Sequence, residues 1–430
     1  MKYLDLTITA QAPISIGRQK FGSISETEHY ISGAAIRGAI AAYLLRQTGH
    51  TQTDLSTQGG DFQALFLDQQ AAIFCNAYPA ISKISDRQSQ CVEEPVFVLP
   101  ATTVSSKNNP GFKQANNDKG GVFDTLIDRF CADQYGYPYD PSCPKDQSRV
   151  EPYSGFYSKC PDSKAEHSYR SHSVSTRFLT RVGINRRRAT AQDALLYSIE
   201  ALNESFLHDS DDRFQHWEYV AYRGQMVVFD DALADKLMQM INRHVEEFRI
   251  GGSTSRGLGK VKLRVAWAKE VPTVSDRINA FNDTFQKRWQ GWENLFGGQA
   301  IKKERSFFTL NLQADAILTD CWRRTTVITP AMLKTFVGLP ANLDLQLHAT
   351  YSSYDYRGGW NAALGLMKDI ELVTNKGAVY LFSFPVDRQA DWLPKLAELE
   401  NQGVGDRTAE GFGQVQICNE FHTIFRERAV

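Results

Sequence analysis

Residues 3–10 (YLDLTITA) alternate apolar and polar side chains, the period-two signature of a strand with one buried face. Pro13 ends this stretch, and residues 17–25 read as a polar loop carrying Arg18 and Lys20. Ser32 then stands as an N-cap before 34–46, where Ile36, Ile40, Tyr43 and Leu44 share one helical face. Residues 95–104 read as a strand and 108–121 as a loop, while 136–164, rich in Pro, Ser, Gly and Tyr, read as an insertion. A strand over 219–229 precedes a helix that starts at Asp230 or Asp231 and runs to Phe248, followed by a strand at 261–265. Ile278, Phe281, Phe285, Trp289, Trp292 and Phe296 recur at three- and four-residue spacing, predicting a helix over 275–296 stopped by Gly297 and Gly298. Its apolar stripe suits a domain junction better than a partner. Beyond it, 307–317 (FFTLNLQADAI) repeats the N-terminal alternation, with strands at 343–351 and 378–384, a helix at 391–400 and a last strand at 415–418.

The two halves of this pattern end alike. Residues 251–261 (GGSTSRGLGKV) and 405–415 (GDRTAEGFGQV) align without a gap 154 residues apart, each after a helix and before a strand. Strand, helix, strand pair, helix, glycine loop, strand is the ferredoxin-like order. The expected fold is therefore α+β, with two tandem ferredoxin-like domains. The first spans 1–267 with an insertion around 105–190, a helical linker covers 268–305, and the second spans 306–430. The glycines permit positive φ and close approach of a partner, and exposed backbone N–H groups there suit phosphate oxygens. The alternative is a tight turn or bulge with no ligand.

Composition narrows the class. At 430 residues with 42% hydrophobic and 23% charged side chains, the chain reads as a globular protein of two or three domains. No apolar run is long enough to span a bilayer and residues 1–10 lack a signal-peptide layout, so a cytoplasmic location without membrane contact is expected. Seven scattered cysteines fit a reducing compartment. Net charge is −1, but its distribution is uneven. No acid occurs in 168–192, which holds Arg170, Arg177, Arg181, Arg186, Arg187 and Arg188; 193–235 then carries ten acids. Residues 101–117 are also free of acids and hold Lys107 and Lys113. Such segregation points to a polyanion site on one face.

At this point several segments carry a resemblance. The N-terminal strand, the stretch GRQKFGSISETEHYISGAAIRGAIAAYLL and the terminal GGSTSRGLGKV loop resemble the repeat-associated mysterious protein (RAMP) superfamily, the RNA-binding subunits of CRISPR effector complexes. PISIGRQKFG (13–22), LPATTVSSKNNPGF (99–112), GVFDTLIDRF (121–130), RVGINRRR (181–188) and GWNAALGL (359–366) are similar, more narrowly, to the two-domain group-five-like subunit of type III-D complexes. That resemblance implies RRM-like RAMP domains and a non-catalytic role: holding the 5′ handle of the CRISPR RNA beside the large polymerase-like subunit and the backbone RAMP subunits, with target RNA met indirectly. It implies no cofactor.

Handle binding needs phosphate contacts and platforms for splayed bases. The candidates are Arg18, Lys20, Arg37, Lys107, Lys113, Arg177, Arg181, Arg186, Arg187 and Arg188, with Phe21, Phe112, Tyr169 and Phe178 beside them. The glycine loops add Gly251, Gly252, Ser253, Ser255, Arg256, Gly257 and Gly259, then Arg407, Gly411 and Gly413. Arg37, a cation in a first helical turn, opposes the macrodipole and is expected to face a phosphate or a neighbouring acid. Trp360, beside two glycines, reads as a core anchor, with a base platform the alternative.

Catalysis is the rival reading, because some members of the superfamily process CRISPR RNA and others cut target RNA. His29, before the first helix with Glu26, Glu28 and Tyr30 nearby, is the general-base candidate if the chain is an endoribonuclease. A dinucleotide-binding enzyme is excluded, since neither glycine loop follows a strand to open a helix. Cys143, Cys160 and His167 are weak zinc candidates because the second cysteine of a CxxC pair is missing, and no metal is expected.

Overall fold

The computed structural model describes residues 2–21, 24–49, 54–68, 71–83, 89–114, 119–160, 168–185, 187–208, 216–269, 271–297, 304–361 and 365–430. Lys2–Ala10 buries Leu4, Leu6, Ile8 and Ala10 on one face, as its alternation requires. It lies between Ala221–Val228 and Val261–Trp267, and Ile73–Phe74 pairs on the far side of Ala221–Val228. Two helices cover the sheet. Gly33–Thr48 is capped by the Ser32 hydroxyl, which accepts from the Ala35 N–H, and ends at Gly49 in the left-handed region. Asp231–Arg243 is capped by Asp230, whose carboxylate accepts from the Leu233 N–H at 2.8 Å. This helix stops five residues before Phe248, and Phe248 is buried in the turn that follows.

A second sheet, of four strands, repeats the plan, in the order Gln346–Tyr351, Val379–Pro385, Arg305–Leu312, Val415–Ile417. Its helices are Pro330–Phe336 and Gln389–Gln402. Even the register recurs: Ile8 lies between Tyr222 and Leu263, and Leu310 lies between Tyr380 and Ile417. Among the described residues no helix is long and apolar enough to cross a membrane.

The helix Val274–Phe296 joins the two halves and opens with a capping box between Thr273 and Asp276. Its stripe of Ile278, Phe281, Phe285 and Trp289 is buried in the second core, with Phe285 stacked on Phe307 at 4.6 Å. Part of the expected first-domain insertion enters the same core. Helix Leu126–Gln134 places Phe130 against Phe285, Phe307 and His348, and Arg288 grips Asp128 with two bonds of 2.6 and 2.7 Å. The chain end closes the seam: Val122 and Val430 exchange backbone bonds of 2.7 and 3.0 Å.

Two further expectations need correction, and two ribbons were not expected at all. Residues 17–25 are not a loop but two strands, Gly17–Phe21 and Ile24–Thr27; both strands are polar, so their pattern gave no apolar face to read. The strand expected at 95–104 is two, Phe97–Val98 and Thr103–Ser106, interrupted around Pro100. Two long ribbons had no counterpart in the sequence reading: Thr176–Asn185 with Thr190–Leu202, and Tyr354–Asn361 with Leu366–Thr374.

Candidate nucleic-acid interface

The two glycine loops have one backbone. Ser253 and Arg407 sit at φ 55° and 59°, Gly257 and Gly411 at 88° and 90°, Gly259 and Gly413 at 76° and 65°. Each loop clasps the chain just past the central strand of its sheet. The Gly252 and Gly259 N–H groups donate to Ser15 and Pro13 carbonyls, both at 2.8 Å; Asp406 and Gly413 donate to Ile317 and Asp315 at 2.9 and 2.8 Å. Arg256 and Gly257, like Glu410 and Gly411, donate within the loop. Most of the donors expected to cradle phosphate are therefore already engaged. What the first loop can present is its side chains, Ser253, Ser255 and Arg256.

The surroundings of the loops differ. A Cβ on Gly411 would lie 2.7 Å from the Phe74 carbonyl and 3.1 Å from the Gly33 Cα, so the second loop is seated on the first helix. Arg407 turns back onto Glu410 at 2.6 Å, and Lys368 joins them at 2.8 Å. Burial raises the Glu410 pKa, but the hydrogen bonds and charges of Arg407 and Lys368 outweigh it and bring it down to about 2. Gly257 in the first loop has nothing within 4 Å of where a Cβ would stand. The first loop is open and the second is covered.

The open loop meets the arginine ribbon. Arg256 donates to the Tyr197 hydroxyl at 2.6 Å and lies over its ring at 5.6 Å, while Arg181 donates to the Arg256 carbonyl at 3.3 Å. Tyr197 and Arg181 are cross-strand partners in the ribbon. Past them, Arg187 and Arg188 are exposed in the turn at the ribbon tip, where the Asn185 carboxamide oxygen accepts from both their N–H groups, at 3.0 and 3.3 Å. Neither forms an ion pair with a described side chain. The solvent face of the same strand carries Phe178, Val182 and Ile184, all exposed. Thr190–Leu202 runs parallel to Ile24–Thr27, so Gly17–Phe21 completes one four-stranded surface.

The remaining candidates scatter. Arg177 is bound by Glu204 at 3.0 and 2.8 Å, Lys107 by Glu151 at 3.1 Å, and Arg18 by Asp355 at 2.9 Å. Arg37 donates to the Phe66 carbonyl and lies over the Phe66 ring; burial lowers its pKa, and the Glu410 charge opposes that. Lys113 is only 5% exposed and is not offered to a ligand. Phe112 and Tyr169 pack with Phe421 in a buried aromatic cluster rather than standing free for bases. Trp360 is corrected in the other direction: it is 62% exposed and anchors no core. Arg186 and His167 lie outside the described residues, as do the side chains of Lys20 and Phe21.

His29 is exposed at the mouth of a cavity of about 280 Å³ floored by Leu99, Phe156, His172 and Val174. Burial pulls the His172 imidazole down to about 4, so it is neutral, and its Nε2 lies 2.8 Å from the Ser158 hydroxyl. Glu28, expected as a neighbour of His29, turns instead to Arg357. Cys143 is buried, its Sγ near the Lys119 carbonyl, and among the described residues no three His, Cys, Asp or Glu side chains gather to hold a metal ion.

The RAMP superfamily model matches residues 21–262, more than half of the chain. The chain belongs to the RAMP superfamily. The match takes in the first helix, the arginine ribbon and the first glycine loop. Similar solved structures include a chain of a type III-B Cmr-beta complex bound to cognate target RNA and AMPPnP, at 11% identity and TM-score 0.37, covering 88% of this chain and 86% of that one. A Cas6 product complex matches at 10% identity and TM-score 0.34 over 97% and 100% of the two chains. Cmr4 from Pyrococcus furiosus matches at 11% and 0.26 over 62% and 99%. Likeness at this distance assigns no activity. No curated protein matches the chain significantly in sequence.

Proposed function

We propose that this RAMP protein is a non-catalytic CRISPR RNA-binding subunit of a type III effector complex, working in the cytoplasm in antiviral defence. In this reading two tandem ferredoxin-like domains, 1–267 and 306–430 joined by 268–305, hold the 5′ handle of the RNA. The chain also contacts the large polymerase-like subunit and backbone RAMP subunits. The observation that carries it is the meeting of the open first glycine loop with the arginine ribbon, through Arg256, Tyr197 and Arg181, below a tip that exposes Arg187 and Arg188. Exposed cations at the tip suit phosphates, and Phe178, Val182 and Ile184, exposed along the ribbon strand that leads to it, offer apolar surface to unstacked bases. The narrower subtype rests on the first-domain motifs. Purification of the tagged chain from its native host is expected to bring down further Cas subunits and an RNA of uniform 5′ end; a lone monomer without RNA would sink the reading.

The second reading, an endoribonuclease, is favoured by His29 at its cavity mouth. With a binding role, His29→Ala leaves both the mature RNA length and target cleavage by the complex unchanged. Accumulation of unprocessed precursor with normal assembly would make this chain the processing enzyme.

A further inference from the structure

The cavity at His29 is lined by the first half of the chain and held from behind by the second. Every lining residue lies between His29 and Val174. His29 is flanked by Glu28 and Tyr30, which are buried, do not line the cavity and reach second-half residues instead. Arg357 bonds Glu28 and, at 3.1 Å, Asp315. The Tyr30 hydroxyl stands 3.5 Å from the Asp315 carboxylate, and the Lys376 ammonium lies 4.6 Å from the centre of its ring. Arg18 and Asp355 extend the cluster, so three cations, Arg18, Arg357 and Lys376, meet three carboxylates, Glu28, Asp315 and Asp355.

The floor is anchored in the same way. The Val98 N–H donates to the Gln313 side-chain oxygen at 3.0 Å and the Ala101 N–H to the Gly377 carbonyl at 2.7 Å, so the chain is tied to the second half on either side of Leu99. Gly377 has φ +87°, and a Cβ there would stand 2.8 Å from the Leu99 carbonyl oxygen. Phe156 stacks on Tyr78 at 4.6 Å and meets Tyr30 edge-on at 6.3 Å, and the Tyr78 hydroxyl donates to the Gln313 carbonyl. Asp315 joins these contacts to the second glycine loop: its carboxylate accepts from the Lys376 N–H at 2.9 Å and its carbonyl from the Gly413 N–H at 2.8 Å.

These contacts converge. Each lands within two residues of one that lines the cavity, or on a ring packed against it. Well-packed apolar side chains would hold such a seam about as well, because burying ion pairs costs desolvation. Directional charge-assisted bonds do something more, fixing where a segment stands. We propose that Arg357, Asp315 and the Lys376–Gly377 turn are positioning residues that set the His29 imidazole and the Leu99 and Phe156 floor, so that the two halves build one site. The first half carries the lining without the geometry. The proposal concerns where the imidazole stands, and it holds for either reading of His29.

The test is the imidazole NMR spectrum of the full chain with isotope-labelled histidine, the His29 and His172 signals being assigned by His29→Gln and His172→Gln. Arg357→Met and Gly377→Ala are each expected to move both signals while unfolding stays cooperative. Arg357→Lys keeps a cation between Glu28 and Asp315; it should move them less, and it replaces the methionine variant if that does not fold. Arg324→Met is the control. It removes ion pairs to Glu371 and Asp406, at 2.7 and 2.6 Å, that lie wholly within the second half, and it should leave both signals in place. Signals unmoved in Gly377→Ala and in the folded Arg357 variants, or moved as far by Arg324→Met, would overturn the proposal.

Discussion

Gly257 and Gly259 sit two residues apart in the first loop and are glycine for different reasons. At Gly259 φ is +76° and a Cβ would stand 2.2 Å from the Ile250 carbonyl oxygen, so any side chain must push the loop off its strand. At Gly257 φ is +88° but nothing lies within 4 Å. Gly257→Ala should therefore cost only the left-handed backbone term, about 1–2 kcal/mol. Gly259→Ala should cost distinctly more or prevent folding, and urea unfolding of the two variants decides this. A probe of ligand approach has to be Gly257, since Gly259 reports the fold. From the sequence both read alike as positions of close approach; what separates them is where the Ile250 carbonyl lies, and no local pattern encodes that. Trp322 makes the converse case: in the hairpin turn between Leu318–Asp320 and Arg323–Thr325, Cys321 and Trp322 have φ of 45° and 68°, and Trp322 is fully exposed. If its exposure is maintained against strain, Cys321→Asn with Trp322→Gly raises stability by about 1–2 kcal/mol, read from the same urea curves; an unchanged or lower midpoint would refute stored strain there.

At the scale of elements, what the sequence disclosed followed from which face is buried. Helix Val274–Phe296 was legible because its apolar period is helical and its stripe meets a core. Phe285→Ala there should cost about 3–5 kcal/mol, measured by denaturant unfolding, since the ring is fully buried and stacked on Phe307. The two ribbons were not legible because Phe178, Val182 and Ile184 in one and Tyr354, Tyr356, Trp360, Met367 and Ile370 in the other face outward, so period-two alternation carried no sign of an inside. The covered second loop has its own titration. The Glu410 pKa lies at about 2, below the ordinary carboxylate value, so its contribution to stability is present above about pH 4.5. That contribution is lost as pH falls from there toward 2, because the unfolded chain takes up the proton first. In thermal unfolding against pH, Glu410→Gln should destabilise the chain at pH 7 and leave a shallower acid limb than the parent; parallel limbs would show that Glu410 is not held this way.

For the whole molecule, the recurrence of the glycine loop was readable because two loops of closely similar backbone constrain their residues in the same order, down to the carbonyls they clasp. The seam was not readable: Phe130 meets Phe285 and Val122 meets Val430 only once the chain has folded, and contacts so distant in sequence leave no periodic trace. The RNA-contact candidates shared that limit, since segregated charge marked the arginine ribbon but could not show which cations are already paired. Of the cations proposed from sequence, Arg187 and Arg188 stand exposed at a tip with no described carboxylate on them, whereas Arg177 is clamped by Glu204. Each phosphate contact to single-stranded RNA contributes about 0.7 to the slope of log affinity against log salt, so Arg187→Ala with Arg188→Ala should flatten that slope by about 1.4. Arg177→Ala should leave the slope unchanged, because a guanidinium held by a carboxylate releases no counterion from RNA. Titrations of a single-stranded RNA at several salt concentrations measure both. Equal flattening by the two variants, or by neither, would move the RNA path away from the ribbon tip and leave the open glycine loop as its remaining anchor.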